Sequence, residues 1–280
     1  MGPDGGARRD LRCFYINLDS AAERRANLEA SFRASAPAHW ELIRIPALGP
    51  EDVADRPGSI SGPEKGCFLS HRTAVAATAD DLETVFIAED DTHFSKRTFT
   101  VLEQLIEAAP DWDLLFTDQT FLDASTMLSC AKQYGRLRAS GQFLLQDLAR
   151  KGFAAASAYL VQGRSKAKVL AALDASEVLD LPYDLLLRRL VNGDRLVAKT
   201  CFPFLTTLSW DSAQSAIQKQ SWDTRAEVIG AFRRMMFIDR DLDAMREEVR
   251  RLDERYNDDA SRLAGLIFGA FISDAFPDKW

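Results

Sequence analysis

Hydrophobic and polar positions change rhythm repeatedly along the first 120 or so residues. Compact apolar runs at residues 12–17, 40–45, 84–88 and 113–117 read as buried strands. Between them, apolar residues recur three or four apart, the spacing of a helix with one buried face. Ser20 with Glu23 and Ser61 with Glu64 both have capping-box spacing. They predict helices running to about residue 35 and to about residue 80, the second with Pro63 in its first turn. Residues 46–60, rich in Pro, Gly and Asp, read as a loop. Ser95 is the expected cap of a further helix that buries Phe99, Leu102, Leu105 and Ile106.

The rhythm weakens over residues 121–151, expected to be a loop or lid over a substrate. It then resumes with a strand at 153–161, helices at 164–173 and 182–191, and a strand at 196–202. Gly193 stands past the second helix as its stop. From residue 219 the character changes. Residues 228–256 are dense in Arg and Glu with interleaved Met, Leu and Val, an amphipathic helical pattern. Strands alternating with helices predict an α/β sandwich with a mixed, mainly parallel sheet. Residues 1–218 are expected to form that domain and residues 219–280 a helical C-terminal segment.

Composition narrows the function. The 280 residues are 46% hydrophobic and 28% charged, with a net charge of −7. That is enough apolar material for a large core. No long basic block is present, which disfavours nucleic acid as a partner. Cys13, Cys67, Cys130 and Cys201 are far apart and form no Cys-x-x-Cys pair, so the spacing suggests neither a zinc site nor a disulfide framework. The polar, Gly-rich start does not resemble a secretory signal, and Gly6 replaces the Ser or Thr needed for myristoylation. Residues 263–276 are apolar but too short to span a bilayer. A cytoplasmic enzyme is expected, with peripheral contact at the inner membrane face or a homodimer as roles open to the C-terminal helices.

The run Thr84-Val85-Phe86-Ile87-Ala88-Glu89-Asp90-Asp91 carries the most chemistry. In open α/β sheets, ligands bind beyond the carboxyl ends of the strands. Three consecutive carboxylates there suit a hard divalent cation and, through it, a phosphate-bearing substrate. The same pattern also fits a strand end followed by solvated acids in a turn. His93, two residues beyond, is a candidate ligand because manganese accepts imidazole; a lone His at that position also reads as a surface residue. Walker, Gly-x-Gly-x-x-Gly and Gly-x-Ser-x-Gly motifs are all absent, which weighs against kinase, dehydrogenase and serine-hydrolase readings.

Five ordered blocks carry a family resemblance. Tyr15-Ile16-Asn17-Leu18-Asp19 with Glu23-Arg24-Arg25 resembles the opening of glycosyltransferase family 25. Glu64-Lys65-Gly66-Cys67-Phe68-Leu69-Ser70-His71 and Phe86-Ile87-Ala88-Glu89-Asp90-Asp91 are similar to its Glu-x-Gly-Cys-x-x-Ser-His and apolar-Glu-Asp-Asp blocks. Ala158-Tyr159-Leu160-Val161 and Pro182-Tyr183-Asp184 resemble two later ones. Gln214-Ser215-Ala216-Ile217 partly matches a further region.

The resemblance implies a GT-A-type, Rossmann-like fold and an inverting transfer from a nucleotide sugar. UDP-galactose is the default donor, and a saccharide, glycolipid or glycoprotein the acceptor. It also implies a metal, Mn2+ or Mg2+, with Asp91 the first choice of ligand, then Glu89 and Asp90, with His93 beside them. Asn17, Asp19, Arg24, Arg25, Glu64, His71, Glu89 and Asp90 become candidates for nucleotide-sugar binding. Asp184 is the leading candidate base and Asp118 its competitor. A nucleotidyltransferase and a catalytically silent sugar-nucleotide-binding module are the rival readings.

Overall fold

A computed structural model describes residues 11–79, 81–108, 111–209 and 224–255. The Gln214–Ile217 match and the apolar 263–276 stretch lie outside these residues. The chain opens with strand β1 (Leu11–Asn17), helix α1 (Ala22–Ser35), β2 (Trp40–Pro46), α2 (Gly62–Ala76) and β3 (Val85–Glu89). Next come β4 (Thr92–Phe94), α3 (Thr98–Glu107), β5 (Leu114–Phe116), β6 (Thr120–Phe121), α4 (Ala124–Ser140) and β7 (Leu144–Asp147). Then follow β8 (Phe153–Ala154), β9 (Ala158–Val161), α5 (Lys166–Asp174), α6 (Tyr183–Asn192), β10 (Ala198–Phe202) and β11 (Thr206–Leu208). Helices α7 (Thr224–Met235) and α8 (Leu242–Arg255) close the described chain.

The main sheet has seven strands in the order β2-β1-β3-β9-β5-β10-β7. β2, β1, β3, β5 and β10 share one direction, while β9 and β7 run against it. This is the mixed, mainly parallel, Rossmann-like layout expected. Period-2 alternation sends neighbouring strand residues to opposite faces. Phe14, Val85, Ile87, Phe116 and Tyr159 join α2, α4, α5, α6 and α7 in one core. Cys13, Tyr15, Phe86, Ala88 and Leu160 join α1 and α3 in the other. The C-terminal helices are not a bare appendage, because Phe232, Met235 and Met245 sit in the first core.

Four expectations change. Ser95 does not cap α3; Arg97 takes the N-cap position without a side-chain bond. The capping box at Ser20 does not form: Ala21 takes the N-cap position without a side-chain bond. The approach to α1 is tethered instead by the Asn17 amide, which donates to the Ala21 carbonyl at 3.0 Å. The expected lid at 121–151 is in large part helix α4, capped by Asp123 and ended by Gly141 in the left-handed region, followed by edge strand β7. Its burial of Cys130, Ala131, Tyr134 and Leu137 on one side is a helical signal that the many small and polar residues of that stretch dilute. The single strand expected at 153–161 is two, β8 and β9, in different sheets. The chain turns between them at Ala155, whose φ is 75°. Among the described residues no helix is long and apolar enough to cross a membrane.

Candidate active site

The carboxyl ends of β1, β3 and β5 converge on one polar cluster. β1 delivers Asn17, which is almost fully buried. Its amide donates to Asp90 Oδ2 at 2.7 Å. Arg44, from β2, donates to Asn17 Oδ1 at 3.1 Å and to its carbonyl at 3.0 Å. Arg44 also pairs with Asp19, an exposed residue at the rim. α1 then brings Arg24 onto Asp90, with its guanidinium 3.6 Å from Asp91. The charge of Arg25 acts on Tyr15.

The Glu64–His71 block has a physical role at almost every position. Glu64 closes the capping box of α2, accepting from the Ser61 amide at 2.8 Å. Gly66 lets the helix approach the preceding loop, since a Cβ there would lie 2.2 Å from the Leu48 carbonyl oxygen. Ser70 accepts from the Leu48 amide at 2.9 Å and fixes that approach. Cys67 and His71, one turn apart, share the face turned to the strand end. His71 Nε2 lies 3.0 Å from Glu89 Oε1 and its Nδ1 3.0 Å from the Tyr159 hydroxyl. Tyr159 continues to the Tyr183 hydroxyl at 2.8 Å. All five blocks thus meet in one polar network.

The three consecutive acids differ sharply. Burial works against ionised Glu89, but the hydrogen bond and charge of His71, with Arg24 and Arg233, hold it below its ordinary value. Burial pushes Asp90 up, against Arg24 and Asn17. Asp91 is raised to about 7 by burial and then by the charge of Glu89. Its Oδ1 is buried without a hydrogen-bond partner. Such an atom carries a desolvation penalty. A hard divalent cation would remove it, and oxygen donors from adjacent carboxylates are the set such ions take. Asp91, with its neighbours Asp90 and Glu89, therefore fits the implied metal. His93 does not join them; it is exposed, 3.4 Å from Ser31 Oγ of α1, with its ring against Phe237.

The two base candidates also separate. Asp118 is buried and paired with Arg233, which binds through Nε at 2.9 Å and a second nitrogen. Ser157 donates to its other oxygen at 3.3 Å. Burial pushes Asp118 up, with Arg233 and Ser157 pulling against that. It joins α7 to the end of β5. Asp184 is half-buried at the start of α6 and accepts from the amides of Ala155 at 2.8 Å and Leu185 at 2.9 Å. Each of its oxygens keeps a free lone pair.

Residues 50–187 match glycosyltransferase family 25 (LPS biosynthesis protein). Over this segment the chain is similar to that family. No curated protein matches it. The matched segment holds Glu64, Cys67, His71, Glu89, Asp90, Asp91, Tyr159, Tyr183 and Asp184. Asn17, Arg24, Arg44 and Arg233 lie outside it, yet all four bond to the network. Arg44 and Arg233 escape a sequence reading because each looks like an ordinary charge on its own element. Only pairings across 27 and 115 residues reveal them. The Tyr159 and Tyr183 hydroxyls were within reach, since both residues stand inside matched blocks.

Proposed function

We propose that this glycosyltransferase moves a sugar, galactose by default, from a UDP-sugar to a hydroxyl of a saccharide or glycoconjugate, with inversion at the anomeric carbon. The observation that carries the reading is the buried, unpartnered Asp91 Oδ1 at a strand end lined by Asn17 and Arg24. Asn17, Arg44 and Asp19 are the side of the strand end assigned to the nucleoside. Asp91, with Asp90 and Glu89, would hold Mn2+ or Mg2+, which when bound supplies positive charge for a departing diphosphate. Arg24 adds a fixed cation in the same place. Asp184 takes the proton of the acceptor hydroxyl as that oxygen bonds to the anomeric carbon. The bond from that carbon to the diphosphate breaks, and UDP leaves. Asp118, already engaged by Arg233, is assigned a positioning role.

One observation favours the silent-module alternative: Arg24 already neutralises Asp90 without any ion. The same experiment separates the two. Purified chain is mixed with manganese and a panel of UDP-sugars, with UDP release and thermal shift as readouts. Turnover with at least one sugar is expected. Binding without turnover would support the silent module, and neither binding nor turnover would remove both readings. Metal-dependent turnover persisting in Asp91→Ala would overturn the metal assignment.

A further inference from the structure

The side of the strand end facing α2 has a donor set unlike the carboxylates around Asp91. Cys67 Sγ, His71 Nε2 and a Glu89 carboxylate oxygen all lie within 4.8 Å of one another. The Sγ to Oε1 separation is 4.0 Å and the Nε2 to Oε1 separation 3.0 Å. Cys67 and His71 are four apart on α2, so the helix sets their spacing before any ligand arrives. The far nitrogen of His71 is held by Tyr159, and its ring stacks on Tyr183 at 4.3 Å with planes 4° apart. A hydrogen bond on the second ring nitrogen is the usual support of a metal-bound His. The site is reachable, since the Glu89 side chain is 31% exposed and Cys67 half-buried. Burial pushes the Cys67 thiol up, and the charges of Glu89, Asp184, Asp91 and Glu64 add to that, a field that favours a cation.

We propose that Cys67, His71 and Glu89 form a binding site for a thiophilic divalent cation, zinc being the natural probe. One sulfur, one nitrogen and one oxygen ligand with a fourth position open to solvent is a donor set zinc accepts. Hard ions such as Mn2+ and Mg2+ prefer the all-oxygen side. On binding, the Cys67 S–H bond gives its proton to solvent and the thiolate becomes the ligand. The inference goes beyond the glycosyl-transfer reading and shares only Glu89 with it.

The test is a titration of the full, metal-free chain with Co2+ followed by displacement with Zn2+. A thiolate-to-cobalt charge-transfer band reaching its limit at one equivalent is expected, with loss of the band on adding zinc. Cys67→Ser should abolish the band, and Asp91→Asn should leave it intact. Tyr159→Phe should weaken zinc binding by about 10- to 100-fold, the usual cost of a lost supporting hydrogen bond. No band in the wild-type chain, or a band surviving in Cys67→Ser, would overturn the proposal. So would loss of the band in Asp91→Asn, which would make Asp91 a part of the site. X-ray absorption on the zinc-loaded wild-type chain keeps the test independent of variant folding. It should show one sulfur at about 2.3 Å with nitrogen and oxygen near 2.0 Å; a shell without sulfur rejects the site.

Discussion

The two ends of strands β1 and β3 solve the same electrostatic problem in opposite ways. At their starts, Asp81 accepts from Lys166 at 2.7 Å, from the Glu83 amide at 3.0 Å and from Arg12. Burial is the largest single influence and raises its carboxyl, but the bonds from Lys166, Arg12 and the Glu83 amide, with the Lys166 charge, together outweigh that and bring it to about 2. At their far ends, Asp91 is raised to about 7 and keeps an oxygen with no partner. The first carboxylate is satisfied by the fold and stabilises it. The second keeps one oxygen unsatisfied, at a cost to the fold. An acid with both oxygens engaged explains itself structurally, whereas a buried one with an oxygen left unbonded is a candidate for function.

The largest expected effect tests whether Asp118 belongs with the satisfied group. Arg233→Met leaves Asp118 buried without its countercharge, and removing one partner of such a pair costs about 3–5 kcal/mol. Urea unfolding should show that loss, while adding Asp118→Leu to the same chain should restore a large part of it. If the double variant is stable but inactive, Asp118 acts on the substrate and does more than anchor α7.

Next in size is the contrast between Asp91 and Asp81. Asp91→Asn should cut turnover by about 10²- to 10³-fold, as expected for loss of one charge-stabilising group. In metal-free buffer at pH 8 it should nevertheless unfold later than wild type, by on the order of 1 kcal/mol or more. The sign follows from the raised carboxyl. Its contribution to stability is complete below about pH 4 and is lost as pH rises through about 7. Asp81→Asn should do the reverse. It should destabilise by about 1 kcal/mol, discounted because the Asp81 side chain is 35% exposed. That loss should be present above about pH 4 and vanish as pH falls towards 2. Equal signs for the two variants would erase the comparison.

The sequence made some of this arrangement legible and hid the rest for definable reasons. Strands β1, β2, β3 and β5 follow from dense apolar runs, and the start of α2 from a local box with short reach. The carboxylates after β3 stand out because contiguous like charges are conspicuous. Helix α4 is hard to read because its buried face carries small residues, one Leu and a Tyr whose partner, the Phe237 carbonyl, is 103 residues away. The division of labour among Glu89, Asp90 and Asp91 was also hidden. It depends on His71, Asn17 and Arg24, which the fold brings from other elements.

The smallest expected effect concerns Glu64, which the sequence allowed either to cap a helix or to touch the donor. Its carboxylate accepts from both the Ser61 amide and the Ser61 hydroxyl, at 2.8 and 2.7 Å. Glu64→Ala should therefore cost about 1 kcal/mol, the usual scale of a lost helix cap. Transfer rate and the apparent KM for the donor should stay within about twofold, since a surface change away from the chemistry moves little else. Glu64→Gln, which keeps an oxygen acceptor for the Ser61 amide, should recover most of the stability. A several-fold rise in KM with stability unchanged would move Glu64 from the cap to the donor site, and with it the boundary between residues that hold this strand end together and residues that use it.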